Sequence, residues 1–527
     1  MAKNIWQRVP LPGIFSRGHT MVPDPKTSKE PVRSLSFPSV LLVAAAAFLL
    51  FAVCGARTSY AESNVLEDPF SRFVRIERRI SQDATNLTPH LAIVREHADP
   101  SIPPDVWVPG ELLTQMKVPV RLAAEKNAYA IRVEKPAAAL GIPALATLAP
   151  NALDLRFRAR SDDGKLYVNL TGLERVTGLA YAFTPGDVLT VGTLSLMSAY
   201  TEPIVRQPVP SAPGGRFNLV WDHVAGDNAD LSAEETLPAV SVISPTWFAL
   251  IDETGRVNSG ADVSYVESAH AKGYQVWGLV SNGFNKERTR KFLADRKAQD
   301  TFIANMLAHA EIYGLDGINI DFESVDNKDA SRLTAFVRRF AQEGRTLGLM
   351  FSIDVTVPSK WSACYERGTL SEIVDYMAVM TYDEHWRTSP KAGSTASIPW
   401  VSAGLDRTLS EVPPNKLLLG VPFYTREWQE TKGKNGKVSL KSRALSMASV
   451  DSVIAETGAQ KQWLGATGQH YVEYSQEGAR FRIWVEDESS MALRLELVKK
   501  RGLAGAAFWR KGFETPEIWE TIEGAER

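Results

Sequence analysis

Cysteine is nearly missing from this chain: Cys54 and Cys364 are the two among 527 residues. That is too few for a disulfide framework, so the folded parts must be stabilised by their own cores. A charge of one sign is missing too. The 59 basic and 61 acidic side chains leave a formal net charge of −2, which offers nothing for a nucleic-acid partner. Histidine is sparse and scattered, with eight in all, and no His-Glu-x-x-His pattern occurs. Neither a metal nor another cofactor is expected. Length points the other way: the chain can build two or three domains with sizeable cores.

One long apolar run is present. Residues 39–53, SVLLVAAAAFLLFAV, carry no charge and lie between Pro38 and Gly55. Lys3, Arg8, Arg17, Lys26, Lys29 and Arg33 precede it, against Asp24 and Glu30. A basic flank before an apolar run places the rest of the chain outside the membrane. The run is short for a span, which takes roughly 17–25 residues. Two readings stand: a retained membrane anchor over 34–56 behind a basic cytoplasmic segment 1–33, or a secretory signal cleaved after a small residue such as Ala61. Either way the protein is exported, to the cell surface or beyond it.

Residues 57–104 are polar and end near DPSIPPD, and read as a linker with a short helix around 71–81. From 105 to 210 the pattern is of short strands and turns. VWVPGELLTQMKVPVRLAAEKNAYAIRV from Val106 and LYVNLTGLERVTGLAYAFTPGDVLTV from Leu166 share one order: an alternating strand, a short amphipathic segment, then two more strand-like runs. This predicts a repeated α+β module. It resembles the copper amine oxidase N-terminal-like domain of bacterial surface proteins, which implies a spacer or wall-binding role. No histidine cluster accompanies it, so no copper is expected.

RQPVPSAPGGR, 206–216, is a Pro/Gly boundary. Beyond it, from 214 to 527, strand-like runs alternate with helical ones. Strands are expected at 217–221, 240–246, 275–280, 317–323, 348–355, 376–382, 416–424 and 505–509, with helices such as 261–272, 301–313 and 329–346 between them. Eight such repeats fit an α/β fold of the (β/α)8, or TIM-barrel, type. The stretch from 430 to 485 is too long for one connection and reads as hairpins: a small α+β insertion between strands seven and eight, walling a cleft. An open doubly wound sheet is the alternative, disfavoured by the strand count.

The fourth expected strand lies in YGLDGINIDFES, 313–324. Side chains alternate along a strand, so Asn319, Asp321 and Glu323 share one face while Ile318, Ile320 and Phe322 share the other. Burying two carboxylates and an amide is costly unless they are used. In a barrel, reacting groups gather at the C-terminal ends of the strands, where Glu323 would sit. A row of interacting polar groups can separate their pKa values, leaving Glu323 as general acid with Asp321 as its partner. Asp316 has the wrong parity for this row and reads as a loop-to-strand cap. Glu384 and His385 read as satisfied or cleft-lining groups, and Cys364 as a buried, inert thiol.

DGINIDFE resembles the fourth-strand motif DxxDxDxE of glycoside hydrolase family 18. MTYDEHW, 380–386, falls where that family carries Met-x-Tyr-Asp on strand six. Trp509 in GAAFWRKG falls where it carries a floor tryptophan on strand eight, and LLLGVPFYTREW, 417–428, matches strand seven. The resemblance implies a substrate-assisted retaining glycosidase, an exception to the two-carboxylate scheme. It assigns Glu323 as acid/base, Asp321 as the group orienting the sugar's 2-acetamido arm, and Tyr382 and Asp383 as contacts to that sugar. Trp509 becomes the floor of the site. Trp221, Trp247, Trp386 and Trp428, at strand ends, are candidates for stacking on sugar rings, and Asn319 is placed in the substrate-binding set.

Asn319 departs from many chitinases, which carry aspartate there. Losing that charge is expected to lower the electrostatic pressure on Asp321. INIDFE together with MTYDEHW resembles the spore-germination, cortex-lytic branch of the family, which implies a peptidoglycan substrate cleaved at β-1,4 bonds of N-acetylglucosamine. A chitinase acting on chitin oligomers, and a silent glycan-binding wall protein, are the alternatives. No LysM-type repeat, common in cortex-lytic relatives, is evident.

Overall fold

The computed structural model describes residues 71–81, 84–122, 128–162, 164–184, 188–197, 208–211, 213, 215–433 and 437–526. Among these no helix is long and apolar enough to cross a membrane. The apolar run at 39–53, and with it the anchor or signal, lies outside them.

All eight expected barrel strands form, at Phe217–Asp222, Val242–Pro245, Gln275–Ser281, Gly317–Asp321, Met350–Thr356, Tyr376–Met380, Leu417–Pro422 and Gly505–Trp509. Each pairs in parallel with its sequence neighbour, and the eighth closes on the first with Phe217 opposite Gly505 and Trp221 opposite Trp509. The strands are covered on both faces, which is why they read as near-continuous apolar runs. Gly505 is required at the closure: a Cβ there would collide with the carbonyl of Phe217. The helices Val263–Ala271, Arg296–Tyr313 and Ala330–Arg345 occupy the expected stretches. Asp295 caps the second of these through the N–H groups of Lys297 and Ala298, and Gly314 ends it in the left-handed conformation at φ 72°.

The insertion is a five-stranded antiparallel sheet with one helix, Met447–Thr457. Its first strand is Thr425–Lys432, so it leaves the barrel five residues before the expected 430.

The segment before 105 differs from the expectation. Residues 71–95 are neither linker nor helix but two antiparallel strands, Ser71–Ser81 and Ala84–Arg95. The alternation of buried Val74 and Ile76 with exposed Arg75 and partly exposed Glu77 is a strand period, and it overrides the polar composition. These strands form the centre of a seven-stranded sheet. The two similar stretches do share one element order: strand Asp105–Pro109, helix Gly110–Gln115, strands Val120–Leu122 and Ala128–Glu134; then strand Lys165–Asn169, helix Glu174–Thr177, strands Leu179–Thr184 and Val188–Thr193. The first strands of the two halves pair antiparallel, Val108 opposite Val168.

This module is joined to the barrel by one continuous sheet. A hairpin after the second barrel strand, Phe248–Leu250 and Val257–Ser259, pairs with the third barrel strand on one side and with module strand Ala152–Arg158 on the other. Across the seam, Ser264 donates to Asp105 at 3.0 Å and Arg156 to Asn258 at 3.1 Å.

Candidate active site

The fourth strand enters the barrel with close packing and leaves it with a sharp turn. At the entry, Gly317 lies against Trp277 and the Met350 carbonyl, and a Cβ there would meet both at under 3 Å. Asp316, expected as a loop-to-strand cap, ties the entry to its neighbours: its carboxylate accepts from the backbone of Val276 at 2.7 Å and from His270 at 2.9 Å. At the exit, Ser324 adopts φ 55°, so the chain turns away directly after Glu323.

Two groups missed by sequence reasoning fix that exit. Asn282, just past the third strand, accepts from the Glu323 N–H at 3.1 Å and donates to the Glu323 carbonyl at 2.6 Å. Tyr365 donates to the Phe322 carbonyl at 2.9 Å. No pattern marked Asn282, because it stands outside its strand's run. Together these bonds set the direction in which the Glu323 side chain leaves the backbone.

Along the inner row, Asp321 and Glu323 are each 6% exposed and Asn319 is wholly buried. Asn319 uses its full hydrogen-bonding capacity. Its carbonyl accepts from the Trp221 indole at 2.9 Å and from Ser244 at 3.2 Å, while its NH2 donates to Ser352 at 2.9 Å and to Asp354 at 2.8 Å. With nothing left for a ligand, Asn319 is a brace between strands one, two, four and five and not a substrate contact.

Asp354 is a third carboxyl that the sequence reading passed over. The parity rule that picked out Asp321 also places Ser352 and Asp354 on one row of strand five, and it needed only to be applied to FSIDVT. Burial pushes the Asp354 carboxyl up to about 8; the Asn319 hydrogen bond favours its ion and the Glu323 charge opposes it. Burial, then the charges of Glu323 and Asp354, hold the Asp321 carboxyl well above the usual range. Asp354 thus stands on strand five as a further carboxyl acting on Asp321, where position 319 on strand four offers an amide. Asp321 Oδ1 is buried without a hydrogen-bond partner in the protein. A buried orphan acceptor is costly and is commonly one that a ligand will satisfy.

Tyr382, just beyond strand six, closes another side. Burial raises its hydroxyl pKa well above the ordinary value, and the charges of Tyr424, Asp354, Asp321 and Glu323 add to this. Asp383 beside it takes φ 60° and accepts from Tyr424 at 2.6 Å, with Arg426 at 3.8 Å. Burial still raises its carboxyl pKa despite Arg426. Glu384 and His385 are satisfied locally: Glu384 accepts from the N–H of Ser397, before helix Ile398–Leu409, and His385 pairs with the Ser394 carbonyl at 2.8 Å.

The tryptophans divide. Trp509 ends strand eight, half-buried, with its ring 6.0 Å from that of Trp221. Trp386 is 37% exposed on the loop after strand six. Trp221, Trp247 and Trp428 are corrected from stacking candidates to buried groups. Trp221 braces Asn319, Trp247 donates to Asn228 at 2.7 Å, and Trp428, 0% exposed, donates to the Gly393 carbonyl at 2.9 Å. A ring enclosed on both faces has none to offer a sugar. Cys364 is buried as expected, with its thiol pushed up to about 11 by burial.

Asp321, Glu323, Asp354 and Tyr382 thus stand at the C-terminal end of a barrel, where this architecture does its chemistry. They can hold, donate and take back a proton in a site that excludes most water. Comparisons with known proteins bear on the family and the fold. The cortical fragment-lytic enzyme of Bacillus anthracis is 28% identical over 258 residues, covering 47% of this chain and 58% of that enzyme. The chain therefore spans little more than half of that relative's length. The di-N-acetylchitobiase of Mus musculus is 25% identical over 291 residues, covering 48% of this chain and 78% of that enzyme. The crystal structure of the Bacillus megaterium spore cortex-lytic enzyme SleL shares the fold, with a TM-score of 0.53 at 20% identity over 60% of this chain and 75% of that one. The family model described as glycosyl hydrolases family 18 matches residues 248–513, half of the chain and most of the barrel. The chain belongs to glycosyl hydrolases family 18 and is a glycosidase.

Proposed function

We propose that this glycosidase is exported and cleaves β-1,4 bonds at N-acetylglucosamine in peptidoglycan, by a substrate-assisted mechanism that retains the anomeric configuration. The observation that carries the reading is the inner row itself: Asp321 and Glu323 on one face, with an orphan acceptor on Asp321 and buried Tyr382 within reach of their charges. Glu323 gives its proton to the glycosidic oxygen as the bond to the anomeric carbon breaks. The carbonyl oxygen of the sugar's own acetamido group forms the new bond to that carbon, giving a cyclic oxazolinium. Asp321 accepts from the acetamido N–H and balances the positive charge, and Tyr382 donates to the acetamido oxygen. Glu323 then takes a proton from water as the water opens the ring, and both groups return to their starting states.

Peptidoglycan is supported by the cortical fragment-lytic name of one relative and by the basic-flanked apolar run at 39–53, which fits export to the cell surface or release from it. The repeated module, whose sequence resembles the copper amine oxidase N-terminal-like domain, serves as a spacer or wall-binding part. Chitin oligomers are the second reading, favoured by the similarity to di-N-acetylchitobiase. Purified full-length protein incubated with cell wall, cortex fragments and chitin oligomers separates them. Faster release of reducing ends from wall or cortex supports the first reading, faster release from chitin the second. No release from any of the three contradicts both.

A further inference from the structure

The interior charge of this site comes from two strands. Strand four contributes Asp321 and Glu323 but an amide at 319; strand five contributes Asp354, 2% exposed and held by Asn319 at 2.8 Å. The register sets Asn319 opposite Ser352, so Asp354 lies two residues further toward the mouth on the neighbouring strand. The charged neighbours that act on Asp321 are both carboxylates, Glu323 and Asp354, and two buried hydroxyls, Tyr382 beyond strand six and Tyr365 beyond strand five, interact with the same carboxyls. No hydrogen bond links Asp354 to Asp321 among those of the described residues; the two interact through charge.

An aspartate is not needed for the brace alone. A neutral acceptor at 354 would take the Asn319 N–H equally well and escape the cost of burying a titratable group. We propose that Asp354 is a positioning residue for the proton of the acid pair: clamped by Asn319, it acts through its charge to keep that proton on Asp321 and Glu323. This rests on the reading of those two residues given above. As pH rises and Asp354 ionises, its negative charge makes loss of the one proton shared by Asp321 and Glu323 harder. The protonated pair then survives to higher pH than two carboxyls alone would allow.

The test uses full-length wild type, Asp354→Asn, the double variant Asn319→Asp/Asp354→Asn, and Asn319→Asp, with a fluorogenic N-acetylglucosamine oligomer as the probe. kcat and KM are measured from pH 4 to 10. In Asp354→Asn the alkaline limb of kcat is expected to fall by about one pH unit or more, a tenfold loss at a fixed pH on that limb, with KM within about twofold of wild type. The double variant returns the charge to strand four and is expected to restore the limb. Asn319→Asp adds a carboxyl and is expected to move it upward, which keeps the test alive if Asp354→Asn does not fold. A wild-type limb in Asp354→Asn, or a downward shift in Asn319→Asp, overturns the proposal. If wild type hydrolyses no substrate, the functional reading has failed separately. Carbon-13 NMR titration of the aspartate carboxyls then decides: Asp321 is expected to titrate about one unit or more lower in Asp354→Asn, and an unchanged titration overturns the role of Asp354.

Discussion

The amide of Asn319 donates to the carboxyl of Asp354 across 2.8 Å of buried interior, joining strand four to strand five. Asn319 is a brace because its other three hydrogen bonds are also taken within the protein. The acid pair above it thus rests on a support that is polar, satisfied and enclosed.

Asn282 orients Glu323 through its backbone, so Asn282→Ala leaves the Glu323 N–H and carbonyl without their partner. A loss of about 1–3 kcal/mol in stability is expected from the unmet buried groups. kcat is expected to fall at least tenfold with KM nearly unchanged, because the acid is displaced and the binding groups are not. Steady-state kinetics beside a urea melt checks both. A melt shift with normal kcat would make Asn282 a fold residue alone.

Exposed Trp386 and buried Trp428 are expected to separate function from folding. Trp428→Ala empties a buried site and is expected to cost about 3–5 kcal/mol. Trp386→Ala, on an exposed ring, is expected to leave the melting temperature within a degree or two and to raise KM for long glycan chains several-fold. Equal effects of the two on KM would contradict this division.

Much of this was legible in the chain. The eight barrel strands stood out because strands covered on both faces need unbroken apolar runs, and Asp321 and Glu323 stood out because their parity broke that pattern. Parity along FSIDVT marks Asp354, but its link to Asn319 depends on lateral register, which a linear pattern does not carry. The sites of Trp221 and Trp428 were misjudged for a similar reason: their enclosure is decided by neighbouring strands and by the insertion sheet. Composition makes residues 71–95 read as linker, although Val74 and Ile76 mark one buried strand face.

Stability should depend on pH with a sign set by buried carboxyls. Burial raises Asp354 to about 8 and Asp262 to about 6, the latter helped by the Asp105 charge, and raises Asp321 well above its usual range. Unfolded, each ionises near pH 4. Between these values the folded state holds more protons, so these groups' contribution is lost as pH rises. Buried His309, lowered to about 3, and His223, lowered to about 4 by burial and Arg510, work oppositely below about 6.5, where the unfolded imidazoles take up protons. The melting temperature is expected to decline from about pH 5 toward pH 9, because the three carboxyls outweigh the two histidines over that range, with a shallower decline in Asp354→Asn. Calorimetry across that range checks it, and a steady rise to pH 9 would contradict it.

His309 sits fully buried at the seam between module and barrel, 5.3 Å from the Phe157 ring and stacked on Tyr313 at 5.9 Å, with no hydrogen-bond partner for either ring nitrogen. An apolar ring of similar shape removes that desolvation cost. His309→Phe is expected to stabilise the protein by about 1–3 kcal/mol, read by denaturant unfolding. Destabilisation of that size would show that the imidazole has a partner after all.

The most direct test of the account is mass spectrometry of the products released from defined peptidoglycan by full-length protein, with Glu323→Gln as control. The account predicts new fragments ending in N-acetylglucosamine at the reducing end, and a loss of at least about a hundredfold in their rate of release in Glu323→Gln. Fragments ending in N-acetylmuramic acid, or release that survives in Glu323→Gln, would contradict it.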